Sequence, residues 1–198
     1  MRVVTLGFAL AALAVFPLSA QAPTERPVAP AVPALDDAAI FAMLERANTA
    51  EIELGELAAR MGQSAEVKDL GKNFAAAHTQ ARQKARDLAK KIGVTAAMPA
   101  DPMKDMKDMK DTTMAKHPKE SQEAAMTRLQ GLKGTEFDVA FIAKEIEHHQ
   151  KMIDAVDNKF LASAKNAELR QLLTELKPSL QSHLDQARAL EKKLALGN

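Results

Sequence analysis

The chain has 198 residues, with 27 Lys and Arg against 26 Asp and Glu, and it contains no Cys, Trp or Tyr. Without cysteine there can be no disulfide, thiolate metal site or thiol catalysis, so stability has to come from packing. Balanced charge with no basic patch argues against nucleic acid as a partner, and the lack of Tyr and Trp excludes tyrosyl-radical chemistry and argues against aromatic stacking platforms.

Residues 1–22 read as a secretory signal peptide: Arg2, an apolar run from Val3 to Phe16, and an Ala20-x-Ala22 ending. An apolar run of about 14 residues is short for a membrane span. No cysteine follows it to carry a lipid. Loss of Arg2 leaves 26 basic and 26 acidic residues, a mature chain without net charge. The expectation is an exported protein, in the periplasm or peripheral at the outer membrane, with no transmembrane span after cleavage. Residues 23–35 read as a Pro-rich, extended tether.

From residue 36 to 198 the pattern is that of an all-α, antiparallel four-helix bundle made of two helical hairpins. The first helix runs from an N-cap at Asp36 to Met61, where Gly62 ends it, and the second from Ser64 to Gly93. Residues 94–133 read as a polar, Met-rich inter-hairpin connection. The third helix begins after Gly134 and reaches Ala164, and the fourth runs from Asn166 to just before Gly197. Connections at 62–64 and 164–166 are short enough that each pair must fold back antiparallel.

Steps of three and four along each helix pick out an inward seam. On the first helix it includes Ile40, Leu44, Glu51, Leu54 and Ala58, and on the second Val67, Gly71, Phe74, His78 and Ala85. The third gives Val139, Ile142, Ile146, His149, Ile153, Val156 and Phe160, and the fourth Leu169, Leu173, Leu180, His183 and Ala187. Each seam is apolar or Gly apart from one ionisable residue: Glu51, His78, His149 or His183. If both hairpin turns lie at the same end, these four fall in one slab about two turns thick, with Glu145 one turn from His149 in reserve. His148 is expected at the flank of its helix. Pro178 sits inside the fourth helix, where it should kink the axis near His183.

At these residues the sequence resembles a known family. "AEIELGELAARMGQSAEVKDLGKNFAAAH", "FDVAFIAKEIEHHQKMID" and "KPSLQSHLDQARAL" are similar to the DUF4142 family of exported, ferritin-like four-helix bundles, often labelled outer membrane proteins. The resemblance covers about residues 36–93 and 129–196, and it maps the family's motif onto Glu51, His78, Phe137 with Asp138, His149, Pro178 and His183. The chain departs from that motif at Ala77 and His148, which replace the Asp before each His, and at Phe141, which replaces a Tyr.

A ferritin-type di-iron site needs Glu-x-x-His pairs. The residues three before His78, His149 and His183 are Ala75, Ile146 and Leu180, so that chemistry is not expected. What remains is a core candidate of Glu51, His78, His149 and His183, with Glu145, whose ligands suit a Cu, Zn or Fe ion. The alternative is a metal-free hydrogen-bonded network that fixes helix register.

A second candidate lies in "DPMKDMKDMKDTTMAKHP", where Met103, Met106, Met109, Met114 and His117 offer soft ligands for Cu(I). Its alternative is expansion of a low-complexity linker. The reading is therefore a non-catalytic exported cell-envelope protein, binding a transition metal, copper first. Its rival is a structural or stress-related interaction module with an envelope protein partner.

Overall fold

A computed structural model describes residues 35–95 and 121–196. The signal peptide, tether residues 23–34 and the segment carrying Met103, Met106, Met109, Met114 and His117 lie outside the described residues. Within them the protein is all-α, with no strand. No described helix is long and apolar enough to cross a membrane.

Helix α1 spans Asp37–Met61 and α2 spans Ala65–Lys91. Both start at the expected caps, where the Asp36 and Ser64 side chains accept from the backbone N–H of Ala39 and Val67. Gly93, at φ +70°, closes the end of α2 in the left-handed conformation that glycine tolerates. A short helix that the sequence reading did not anticipate follows: α3, Gln122–Gly131, capped by Ser121 and burying Ala125 and Leu129. The connection assigned to residues 94–133 is thus partly helical. Helix α4 spans Gly134–Ala155 and continues through a π-helical turn, Val156–Phe160, into a last turn, Leu161–Ser163. Helix α5 spans Ala167–Leu196 and runs on as helix through Pro178.

Two aspartates fix how the hairpins are assembled. Asp37, at the start of α1, accepts from the backbone N–H of Lys165 (2.7 Å) and Asn166 (3.0 Å) in the α4–α5 turn. Asp138, near the start of α4, accepts from Gln63 (2.7 Å) and Ser64 (2.8 Å) in the α1–α2 turn. Each turn therefore rests against the end of the other hairpin that lies farthest from that hairpin's own turn. The turns lie at opposite ends of the molecule, not at the same end as the sequence reading supposed. Measured from the α1–α2 turn end, which Asp138 marks on α4 and the Lys193–Glu66 ion pair marks on α5, the four seam residues still stand at a common height. All four sit near the middle of their helices, roughly 15–22 Å from that end at 1.5 Å per residue.

The apolar core is consequently split in two. At the Asp37 end, Phe41, Leu44, Val156, Phe160, Leu169 and Leu173 pack with Ala85 and Ala89. At the other end, Leu54, Val67, Phe74, Leu129, Phe137 and Phe141 pack together. Between the two clusters lies a layer of buried polar residues: Asn48, Glu51, His78, Glu145, His149 and His183.

Two expectations for α4 are corrected by this packing, one for a seam residue and one for Glu145. Val139 is 49% exposed, and the inward face at that height is carried by Phe137, Phe141 and Ile142. That face continues directly into Glu145, which is fully buried rather than held in reserve. Close contact between α1 and α2 depends on two glycines, since a Cβ on Gly55 would meet the Gly71 carbonyl oxygen at 2.5 Å and one on Gly71 would meet that of Gly55 at 2.5 Å. The helices can thus approach until Glu51 and His78 face each other.

Candidate metal centre

The three seam histidines meet at the centre of the polar layer. His78, His149 and His183 each present a ring nitrogen, and these atoms all lie within 4.8 Å of one another. His149 Nε2 is 3.2 Å from His183 Nδ1. Two imidazoles on one tetrahedral ion at about 2.0–2.1 Å would place their nitrogens roughly 3.3 Å apart, so this spacing already fits a shared cation.

Hydrogen bonds set which nitrogen each ring presents. The Nδ1–H of His149 donates to the Glu145 backbone carbonyl at 2.9 Å, which leaves Nε2 with its lone pair turned toward His183. His78 Nδ1 lies 3.0 Å from Asn48 Oδ1, while the Asn48 amide donates to the Leu44 carbonyl at 2.7 Å. That second bond fixes the amide, so Oδ1 accepts and His78 carries its proton on Nδ1. His78 Nε2 is then a buried lone pair with no hydrogen-bond partner. Sequence reasoning missed Asn48 because it lies three residues before Glu51, one position off the seam.

Aromatic packing holds the rings in place. Phe74, one turn before His78 on α2, stacks on His183 with centroids 4.4 Å apart and lies 5.3 Å from His149. It closes one side of the three-histidine set with a fully buried apolar face.

A second donor set adjoins the first through His149. Glu51, Glu145 and His149 each offer an atom within 4.8 Å of the others, and all three residues are fully buried. Glu145 Oε2 is 3.4 Å from His149 Nδ1, and Glu51 Oε2 is 4.0 Å from His78 Nε2. His148, expected at the flank, instead turns its Nδ1 to 3.3 Å from Glu51 Oε1. None of these approaches to a histidine has hydrogen-bond geometry; the Glu51 and Glu145 carboxyl groups find no histidine donor and instead share a side-chain hydrogen bond with each other.

Burial governs the charge of this layer. It pushes His78 down to about 3 and His183 down to about 4, and it lowers His149 as well, so all three are neutral imidazoles near neutral pH. Burial, reinforced by the neighbouring Glu51 charge, raises Glu145 well above the usual carboxyl range and keeps it as the acid. Burial would also raise Glu51, but the facing histidines His148, His78 and His149, wherever protonated, attract its charge and the Glu145 acid donates to it, so that together they hold Glu51 lowered. The result is a hydrogen-bonded carboxyl pair beside three converging imidazoles, in which His149 Nε2 accepts from His183 Nδ1–H and His78 Nε2 keeps a lone pair without a partner. A transition-metal cation fits that donor set, since it would supply positive charge to Glu51 and a partner to His78 Nε2, displacing the His183 proton.

The DUF4142 family, a domain of unknown function, matches residues 21–190. Three solved structures share the fold. A DUF305 fragment from Deinococcus radiodurans aligns with a TM-score of 0.63 at 13% identity, covering 79% of this chain and 95% of that one. A DUF305 protein from Streptomyces coelicolor aligns with a TM-score of 0.61 at 16% identity, covering 80% and 93%. CopM in its Cu(II)-bound form aligns with a TM-score of 0.58 at 15% identity, covering 80% and 98%. At such identities the likeness speaks for the fold alone. No curated protein matches the chain.

Proposed function

This chain belongs to the DUF4142 family, and from that premise we propose that it is an exported, non-catalytic, ferritin-like four-helix-bundle protein that binds a transition-metal ion, copper first, in its polar core layer. The ligands are His78 Nε2, His149 Nε2 and a ring nitrogen of His183, with Glu51 completing a four-coordinate shell and Glu145 beside it. One observation carries this reading: the ring nitrogens of His78, His149 and His183 converge within 4.8 Å in a buried layer where His78 Nε2 has no hydrogen-bond partner. Buried polar groups rarely go unpaired, because each costs on the order of 1–3 kcal/mol. A self-contained network would give His78 Nε2 a donor; a cation between the three imidazoles supplies what the protein does not. Imidazole-rich shells suit Cu, Zn and Fe alike, and CopM, whose Cu(II)-bound form shares this fold, favours copper.

Export rests on the N-terminal pattern of Arg2, an apolar run and Ala20-x-Ala22, with the Pro-rich tether leading to the bundle domain. The segment with Met103, Met106, Met109, Met114 and His117 adds a second Cu(I) site of thioether character. The other reading, a structural or stress-related module with an envelope partner, requires the core layer to stay metal-free.

Metal content decides between them. The mature protein, purified from a periplasm without an affinity tag, should retain Cu, Zn or Fe in near-equimolar amount. A variant with His78, His149 and His183 changed to Ala should lose it while staying helical by circular dichroism. A metal-free wild type that also fails to bind added copper overturns the core site. Unchanged Cu(I) affinity after deletion of residues 101–118 removes the methionine site.

A further inference from the structure

The polar layer is not sealed equally on all sides. Glu51, Glu145 and His149 are fully buried, His78 and His183 keep 6% and 9% exposure, and the His148 side chain keeps 17%. Exposure therefore rises outward from the carboxylates, through His78 and His183, to His148. Along that direction lies a cavity of about 40 Å3, walled by His78, His183, Asn48, His148 and Met152. One water occupies about 10–15 Å3 on this measure, so the space admits an ion with a water or two. Phe74 covers one side of the histidines, and this cavity adjoins the side where exposure is higher.

Two of these wall groups have no part in the inner set. His148 and Met152 are four residues apart on α4 and so lie on one face, one turn from each other. An imidazole and a thioether in one small cavity are a soft ligand pair. The third wall of interest is Ala77, whose short side chain lines the same cavity. Ala77 leaves room in the cavity and His148 brings a nitrogen ligand to it.

We propose that His148 and Met152 form an outer acquisition site for a soft monovalent ion, Cu(I), which hands the ion to His78 and His183 through the shared cavity. The inference rests on the reading of the core layer as a metal site and adds to it the oxidation state of the incoming ion and the route it takes. His148 suits a relay, because its Nδ1 also lies 3.3 Å from Glu51 Oε1, at the edge of the inner set. Met152 is only partly buried against the Asp37-end core, so its side chain is not sealed within it.

Ag(I), a redox-inert ion with the same ligand preference, is the probe for the outer site. The full mature chain carrying 13C-methyl methionine is titrated with Ag(I), and the Met152 signal is identified by its disappearance in Met152→Leu, a volume-conserving change. The Met152 signal should shift in the course of the titration, whether or not the methionines of residues 101–118 take up the first ions, and His148→Ala should abolish that shift. In parallel, Cu(I) transfer from a chromophoric chelator should slow roughly tenfold or more in Met152→Leu, while Zn(II) loading, which gains nothing from a thioether, stays unchanged. An unmoved Met152 signal, an unchanged Cu(I) rate, or equal slowing of Cu(I) and Zn(II) overturns the proposal. Should the wild type hold no metal at the inner histidines, the core reading fails, and the Met152 shift still decides the outer site by itself.

Discussion

Asn48 on α1 accepts the Nδ1–H of His78 on α2 at 3.0 Å, while its own amide is tied to the Leu44 carbonyl at 2.7 Å. This pair does for His78 what a carboxylate commonly does for a ligating imidazole: it fixes the ring and dictates which nitrogen is free. Asn48→Ala should weaken metal binding about 10–100-fold. It should also destabilise the metal-free protein by about 1–3 kcal/mol, since His78 then loses its remaining partner. Asn48→Asp, which keeps an acceptor in place, should bind metal at least as tightly as wild type. Competition titrations on the three proteins measure this, and equal affinities would show that Asn48 does not position His78.

Acid should unfold the metal-free protein earlier than a plain helical bundle. The folded-state values of His78, about 3, and His183, about 4, both lie below the unfolded value of 6.5, chiefly through burial, and His149 is lowered for the same reason. Below pH 6.5 the unfolded chain takes up protons that the folded protein does not. The stabilisation is thus complete above pH 6.5 and fades as pH falls toward 4 and 3, by about 1 kcal/mol per pH unit for each histidine. Glu145, held as the acid by burial and Glu51, works in the opposite direction above pH 4.5 but is one group against three. Denaturant midpoints measured from pH 7 to pH 5 should therefore fall, and a flat or rising profile contradicts the assignment of neutral buried histidines.

Glu145→Gln tests the protonation of the carboxyl pair. Glutamine imitates the neutral acid, so metal-free stability should stay within about 1 kcal/mol of wild type. Glu51→Gln removes the buried negative charge and should lower metal affinity by more than Glu145→Gln does. Thermal melts and metal titrations of both variants check the order, and a reversed order would exchange the roles of the two residues.

The aspartate clamps predict a matched pair of stability losses. Asp138→Ala frees the N–H groups of Gln63 and Ser64, and Asp37→Ala frees those of Lys165 and Asn166. Hydrogen bonds to a charged carboxylate are worth about 1.5–3 kcal/mol, and Asp138 is almost fully buried whereas the Asp37 bonds are more exposed. Asp138→Ala should cost more in chemical denaturation, with helix content in the folded baseline unchanged. Neither change touches the polar layer, so metal stoichiometry should hold.

Much of the fold could be read from the chain because helix caps and seams are local. Asp36, Ser64 and Asn166 start their helices where the sequence places them, since each side chain bonds to N–H groups two or three residues on. Helix α3 was overlooked although Ser121 and the apolar trio Ala125, Met126 and Leu129 mark it; the Met-Lys-Asp repeats before it drew the whole connection into one linker. The start of the α4 seam slipped because Val139 and Phe137 both satisfy a helical spacing two residues apart. Only packing chose the bulkier face, and with it the burial of Glu145.

By itself the sequence determined that four long helices each carry a single ionisable residue at mid-height on an apolar face, because hydrophobic spacing dictates which way a helix turns. It could not determine the order of the ends, the glycine contact that lets α1 and α2 touch, or the rotamers that leave His78 Nε2 without a partner and set Glu51 against Glu145. Those were decided in the tertiary structure, where the Asp37 and Asp138 clamps and the stacking of Phe74 on His183 join residues far apart in the chain. Whether four buried polar side chains satisfy one another or face a common gap is a matter of a few tenths of an ångström and of direction, and local spacing carries neither.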